Sequence, residues 1–156
     1  KYANVTCVQS ALGSAAAERS IRLRKDSECN SFLEIGAAPH VFNGASEIVK
    51  IQTIDAFCAD HNITSIDVLK MDVQGWEEEV LAGAGSMLAE NKIRFVFSEV
   101  GFRPNESEMQ MFGELLAALT EQGFLLSGFY DFFRYGDAKQ FTLFANALFV
   151  NQKFSK

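Results

Sequence analysis

A chain of 156 residues suits one domain with a real core, and 48% hydrophobic with 22% charged residues is ordinary for a globular protein. Twenty acids against fourteen Lys plus Arg leave a net charge of −6, which argues against nucleic acid or an anionic membrane as partner, because phosphate binding runs largely on Lys and Arg. Two histidines, no Cys-x-x-Cys pair and no apolar run near ~18 residues give no support for a zinc site or a membrane span, and Cys7, Cys29 and Cys58 read as free thiols of a reducing cytoplasm.

Val5–Gln9 (VTCVQ) is β-branched enough to predict a short strand, closed by Ser10–Gly13 (SALG). Ser20–Arg24 (SIRLR) alternates apolar and polar, as a half-buried strand should. From Lys25 to Ser46 the composition is loop-like, apart from the apolar Phe32–Ile35. Ile48–Ile54 then alternates as a strand. Ile54, Phe57, Cys58 and His61 recur at i, i+3, i+4 and i+7, which predicts a short helix with His61 as a structural residue at the edge of its stripe.

Ser65–Val73 (SIDVLKMDV) reads as apolar on both faces apart from Lys70, the pattern of a buried parallel strand. A helix is expected from Trp76 to Leu88, with Trp76, Val80, Ala84, Met87 and Leu88 on one side. Glu77, Glu78 and Glu79 stand in its first turn, where the helix dipole favours negative charge. Ile93–Val100 predicts a second buried strand. Asn105–Gly123 predicts an amphipathic helix lined by Met109, Phe112, Leu116 and Leu119 and ended by Gly123. Phe124–Tyr130 and Ala145–Asn151 read as strands joined by the polar Asp131–Gln140. The order implies a single α/β domain: parallel strands in the centre, helices on both faces and a final antiparallel pair.

The most specific stretch is Ile66–Ala84 (IDVLKMDVQGWEEEVLAGA). It resembles the signature of FkbM-type methyltransferases, class I enzymes dependent on S-adenosylmethionine. That signature is an apolar strand, Lys-Ile/Met-Asp-Val-Glu-Gly, one residue, Glu, then Val-Leu-x-Gly-Ala. The match falls at Lys70, Asp72, Val73, Gly75, Glu77, Val80, Leu81, Gly83 and Ala84. Val49–Phe57, Arg94–Val100 and Phe144–Asn151 resemble the family's flanking strands in order and spacing. Gln74 departs from the family's usual Glu; an amide keeps shape and hydrogen bonds but not charge.

Phe32–His40 (FLEIGAAPH) looks like the end of a nucleotide-binding strand, yet it leads almost directly into Ile48–Ile54. In the family a helix and two strands intervene. Pro39 falls where the receiving helix would begin, and the later glycine is missing. It is therefore read as a lookalike. Gly83–Ser86 (GAGS) follows a helical pattern and reads as helix packing or a helix end. The resemblance implies a partial Rossmann-like sheet, the carboxyl-terminal portion of a longer enzyme, with the cofactor-loop strand and helix absent and the chain truncated. The start at Lys1 rather than Met fits that expectation.

The resemblance also implies the site. Ser10 and Ala11 would lie along the adenine of S-adenosylmethionine, while Asp72, Gln74 and Gly75 would face the methyl donor. Asp72 and Glu99 would be catalytic, and no metal is implied. The substrate would be a small molecule, a sugar or other hydroxyl compound. This chain alone would bind the cofactor weakly or not at all. Independently of the family, Asp72 and Glu99 follow apolar strands, and ligands of open α/β sheets bind beyond strand carboxyl ends. Methyl transfer asks the protein to align an acceptor oxygen and take its proton. Asp72 fits a helix cap or a tether for the Gly75 turn as well, Glu99 a backbone hydrogen bond, and Trp76 a core position.

A non-catalytic binding or assembly module that keeps the fold is the alternative, and a nucleotide-binding protein using Phe32–His40 is a third reading. A buried central strand also needs neighbours on both edges. Val5–Gln9 should lie beside Val68–Asp72, or a second copy should cover that edge as a homodimer.

Overall fold

The computed structural model describes residues 4–33, 41–103 and 109–154. Its strands fall into two sheets. β1 (Ala11–Leu12), β2 (Ala17–Arg24) and β3 (Phe42–Gln52) form the first, in the order β1-β3-β2. β4 (Ile66–Met71), β5 (Ile93–Gly101), β6 (Phe124–Tyr135) and β7 (Phe141–Asn151) form the second, in the order β4-β5-β7-β6. Between them run α1 (Ile54–Asp60), α2 (Glu77–Ala82), α3 (Gly85–Ala89) and α4 (Phe112–Glu121). The architecture is mixed α/β, as expected, but the parallel character is limited. β4 pairs parallel with β5 and β1 with β3, whereas β5–β7, β6–β7 and β2–β3 are antiparallel.

The strand expected at Val5–Gln9 does not form. Val5 and Val8 stand 59% and 48% exposed, and regular pairing begins only where Ala11 meets Ile51. β propensity is largely fit to a neighbouring pleated surface, and here β2 and β1 already take the two edges of β3. β3 itself begins at Phe42, inside what reads as loop, and ends before Ile54, which opens α1.

α1 starts where its local chemistry says it should. Thr53 Oγ1 accepts the Ala56 N–H at 3.0 Å, and Ile54 and Cys58 are buried. His61 ends the helix, its ring stacked on Phe57 with centroids 4.1 Å apart, so its role is structural.

β4 is half-buried rather than buried on both faces. Leu69 and Met71 enter the core, while Val68 is 56% exposed and Lys70 points outward. The core lies on one face of the second sheet, where Val96, Val100, Ala147 and Phe149 meet Val80, Leu81, Leu115 and Leu119 of the helices. On the alternate face Val68 and Leu125 stand exposed, so the expected cover of helices on both faces is not found among the described residues. Among those residues β4 pairs only with β5. Among them its outer edge has no partner strand, and the account in which Val5–Gln9 closes it is overturned.

The helix expected over Trp76–Leu88 is two helices, α2 and α3, broken at Gly83–Ala84. A segment distant in sequence meets the break: a Cβ on Gly83 would lie 2.1 Å from the Gly13 carbonyl oxygen, so a side chain has no room there. At the break Asp55 N–H donates to Gly83 O, and the Asp55 carboxylate accepts the Ser86 and Met87 N–H groups at 2.7 and 3.0 Å. Gly83–Ser86 is thus a helix end with close packing, as its sequence context suggests.

α4 starts at Phe112, later than expected, with Leu115 and Leu119 as its buried residues and Met109 ahead of the helix. The part of the expected helix over 105–108 lies outside the described residues, as do residues 34–40 of the Phe32–His40 lookalike. β6 continues through residues 132–135, three of them aromatic, that read as loop, so that Gly136–Gln140 alone turns the hairpin.

Candidate active site

The segment from Asp72 to Trp76 joins β4 to α2 and turns sharply. Gln74 and Gly75 both adopt left-handed backbone, with φ of 52° and 88°. Gly75 does so freely, whereas Gln74 carries a steric cost that neighbouring bonds must offset. Three contacts hold the turn. Ser31 Oγ donates to Gln74 O at 2.8 Å, Glu77 Oε1 accepts the Val73 N–H at 3.2 Å, and Trp76 N–H donates to Val73 O at 3.3 Å.

Asp72 is gripped by side chains on either side. Lys70 Nζ lies 3.0 Å from Oδ2, and Gln74 Nε2 donates to Oδ1 at 3.2 Å. Asp72 caps no helix: α2 has Trp76 at its N-cap with no side-chain cap bond. Its tie to the Gly75 turn runs through the Gln74 side chain.

Two further carboxyls share this field. Glu77 is 2% exposed, and burial first, then the Asp72 charge, push its pKa up against the opposing pull of backbone N–H donors; Oε2 has no hydrogen-bond partner. Glu99, on β5 and in register with Asn146 of β7, is also pushed up. Burial is the main cause, followed by the charges of Asp72 and Glu77, while Lys70 pulls the other way. A carboxyl that holds its proton longer than usual, close to a second carboxyl paired with a lysine, is an arrangement that general acid–base chemistry can use. No metal-binding cluster of His, Cys, Asp or Glu occurs among the described residues.

A cleft of about 340 Å³ opens beside this turn, between the two sheets. Ser10 and Ala11 line it from the first sheet, Asp72 and Trp76 from the second, with Ser31 and Phe32 between. The Phe32 and Trp76 rings lie 5.3 Å apart, and the Arg19 guanidinium stands 5.0 Å from Trp76 and 5.4 Å from Phe32. Trp76 Nε1 is buried without a partner. Ser10 Oγ is within bonding distance of the Lys50 and Ala11 carbonyls, which fixes its side chain at the cleft wall.

The structure therefore brings together Ser10, Ala11 and Asp72. Gln74 and Gly75 shape the turn without lining the cleft, and Glu99 is coupled to Asp72 by charge rather than as cleft lining. Sequence reasoning missed Glu77, Ser31, Phe32 and Arg19. Glu77 had a signal, an acid returning to the turn from the first position of α2. The other three lie far away in the chain and had none.

The methyltransferase FkbM domain matches residues 3–126, and the chain belongs to that family. Among curated proteins it is similar to the 2-O-methyltransferase NoeI of Sinorhizobium fredii, 39% identical over 51 residues. That alignment covers 33% of this chain and 20% of the relative, so the chain spans a small part of that protein. No solved structure matches the chain.

Proposed function

We propose that this chain is part of an S-adenosylmethionine-dependent O-methyltransferase that methylates a hydroxyl of a sugar or other small molecule. The observation that carries the reading is the cleft that gathers Ser10 and Ala11 from one sheet and Asp72 from the other. The Phe32 and Trp76 rings, aliphatic Ile21 and Val49 and the Ser10 hydroxyl fit a flat heterocycle such as the cofactor's adenine. Asp72 is the one charged side chain lining the cleft among the described residues. The lining thus fits one end of the cofactor, and the chain alone is expected to hold it weakly.

When bound, the cofactor supplies a methyl group on a sulfonium, open to in-line attack. The protein's residues have the remaining work. Asp72, fixed by Lys70 and Gln74, orients the acceptor hydroxyl. Asp72, the carboxyl at the cleft, receives the hydroxyl proton as the acceptor oxygen becomes nucleophilic, and Glu99, outside the lining, acts through its charge coupling to Asp72. Gln74 and Gly75 hold the turn on which Asp72 rides. No helix of the described residues is long and apolar enough to cross a membrane, and the three cysteines form no disulfide. A cytoplasmic location without a membrane or nucleic-acid partner belongs to the proposal, supported by the free thiols and the net charge of −6. A second copy of the chain is the proposed cover for the bare β4 edge.

The alternative, a non-catalytic binding or assembly module, draws support from Gln74 in place of the signature's acid. Calorimetry of the 156-residue protein with S-adenosylmethionine, joined to a radiolabel transfer assay on the full-length protein, separates the readings. Weak binding by the chain with transfer by the full-length protein is the expected result. Micromolar binding by the chain would mean a site built from other residues, and no transfer to any hydroxyl compound would favour the module.

A further inference from the structure

The ladder between β4 and β5 ends where Met71 meets Ser98, so Asp72 and Val73 lie beyond the reach of the sheet's own hydrogen bonds. The turn that follows is strained as well. Gln74 has a side chain and a φ of 52°, a conformation that persists only where neighbouring bonds over-determine it. Asp72 therefore keeps its place at the cleft wall through the bonds made to the turn.

The bond to its backbone comes from Glu77. Of the three acids that open α2, Glu78 is exposed and Glu79 partly so, while Glu77 is 2% exposed. Glu77 folds back over four residues, and its Oε1 accepts the Val73 N–H at 3.2 Å. Val73 follows Asp72 directly, so this bond fixes the peptide that joins them. Gln74 Nε2 and Lys70 Nζ then hold the Asp72 carboxylate itself. Glu77 is an expensive choice for such a place. Its Oε2 is buried with no hydrogen-bond partner among the described residues, in the field of the Asp72 charge. An apolar side chain of the same length would leave no polar atom of its own unmet there. Packing alone does not account for an acid at this position. Nor does Glu77 line the cleft, so whatever it does for a ligand it does through the turn.

We propose that Glu77 is a positioning residue, whose carboxyl holds the Asp72–Val73 peptide and thereby sets where the Asp72 carboxylate stands at the cleft. The proposal rests on the reading of Asp72 as the group that handles the acceptor hydroxyl, while the hold on the turn is measurable without any activity.

The first test is NMR of the 156-residue protein and two variants. Glu77→Gln keeps an oxygen acceptor for Val73, and Glu77→Met keeps the length and removes the acceptor. Two signals report on the turn: exchange of the Val73 amide, and the Gln74 side-chain amide that is bonded to Asp72. Glu77→Met should speed Val73 exchange by about tenfold and shift the Gln74 side-chain amide, and Glu77→Gln should keep both near the wild-type values. Exchange at Val96, fully buried in β5, should stay the same in both variants, which separates a local release from a general loss of stability. Glu77→Leu, which also lacks an acceptor, takes the place of Glu77→Met if that variant does not fold.

The second test is a double-mutant cycle on the full-length enzyme. Glu77→Met should lower kcat about tenfold with KM changed by less than about twofold, and should have no further effect in an Asp72→Asn background. The proposal is overturned by unchanged Val73 exchange and Gln74 signals in Glu77→Met, by equal acceleration at Val96, or by losses that add in the cycle. A full-length protein without transferase activity would remove the reading of Asp72 and leave the NMR result on the turn standing.

Discussion

Gln74 Nε2 lies 3.2 Å from Asp72 Oδ1, so the one residue that departs from the family signature is bonded to the acid the signature carries. Lys70 holds the other oxygen at 3.0 Å. An amide can donate to a carboxylate where a second carboxylate would repel it. The substitution therefore changes the turn's electrostatics while preserving its shape.

Gln74→Glu should destabilise the protein by on the order of 1 kcal/mol at neutral pH and low salt, by adding a charge beside Asp72 in a partly exposed turn. The loss should shrink in about 1 M salt, where such repulsion is screened. Chemical denaturation at both salt levels measures it. An equally stable Gln74→Glu protein at low salt would mean that the Gln74–Asp72 bond contributes nothing.

Glu77 links stability to pH, and the sign follows from burial. Its folded-state pKa is raised, with the first cause burial and the second the Asp72 charge. Its contribution is therefore fully present below the unfolded carboxylate value of about 4.3 and is lost as pH rises through the raised value. Glu99, raised for similar reasons, acts in the same direction, with Lys70 opposing. Glu77→Gln keeps an acceptor for the Val73 N–H and removes the titration. Its stability relative to wild type should rise as pH increases from the acid limb toward neutrality. Urea unfolding at several pH values provides the comparison, and a pH-independent difference would sink the idea.

Gly83 and Gly85 form a matched pair for a steric test. At Gly83 a Cβ would meet the Gly13 carbonyl at 2.1 Å, backbone against backbone, whereas at Gly85 nothing lies within 4 Å. Gly83→Ala should cost about 3 kcal/mol or more, since neither chain segment can yield easily. Gly85→Ala, in α3, should be neutral or stabilise by up to about 1 kcal/mol. Paired denaturation midpoints decide this; equal effects would show that the contact with Gly13 does not constrain α2.

Asp72→Asn in a full-length, active protein should lower turnover by about 100-fold while changing cofactor affinity by less than about threefold. The isosteric change keeps hydrogen bonds and removes the charge. Wild-type turnover in Asp72→Asn would reduce Asp72 to a structural role.

Val68 stands at the bare edge strand, 56% exposed. If a second copy pairs there, Val68→Lys should convert a dimer to a monomer in analytical ultracentrifugation, because a lysine on an edge opposes strand addition. A wild-type chain that is already monomeric at high concentration would remove the homodimer from consideration.

The legible parts of the fold were those set by neighbours in the chain. α1 could be read because Thr53 and the Ile54–Cys58 stripe are local, and β5 because its apolar run is continuous. The break between α2 and α3 could not, since the groups that meet it, Gly13 and Asp55, are far away in sequence. Val5–Gln9 has strand composition, yet it stays exposed and outside both sheets, a tertiary outcome that composition does not encode. Asp72 was read at a strand end, where the structure has it just after β4, because strand ends and turns leave sequence marks. Its neighbours Phe32 and Ser31 arrive through tertiary packing, which leaves none. The β6 aromatics read as loop because Asp131 and Arg134 interrupt their pattern, and the bulge that accommodates them has no signature in composition.

Near Asp131, Tyr130 pairs with Asn146 and Phe133 with Phe144, so three residues of β6 advance against two of β7 and the strand bulges. Chain length there is itself a determinant of what the hairpin presents. Deleting one residue would remove the bulge and leave Phe129 and Phe132 two apart, on one face of a regular strand, while β7 keeps its partners on β5. Inserting one would turn the side chains that follow to the opposite face. The hairpin thus tolerates the loss of a residue at this point and is re-aimed by a gain, with every framework residue left as it was.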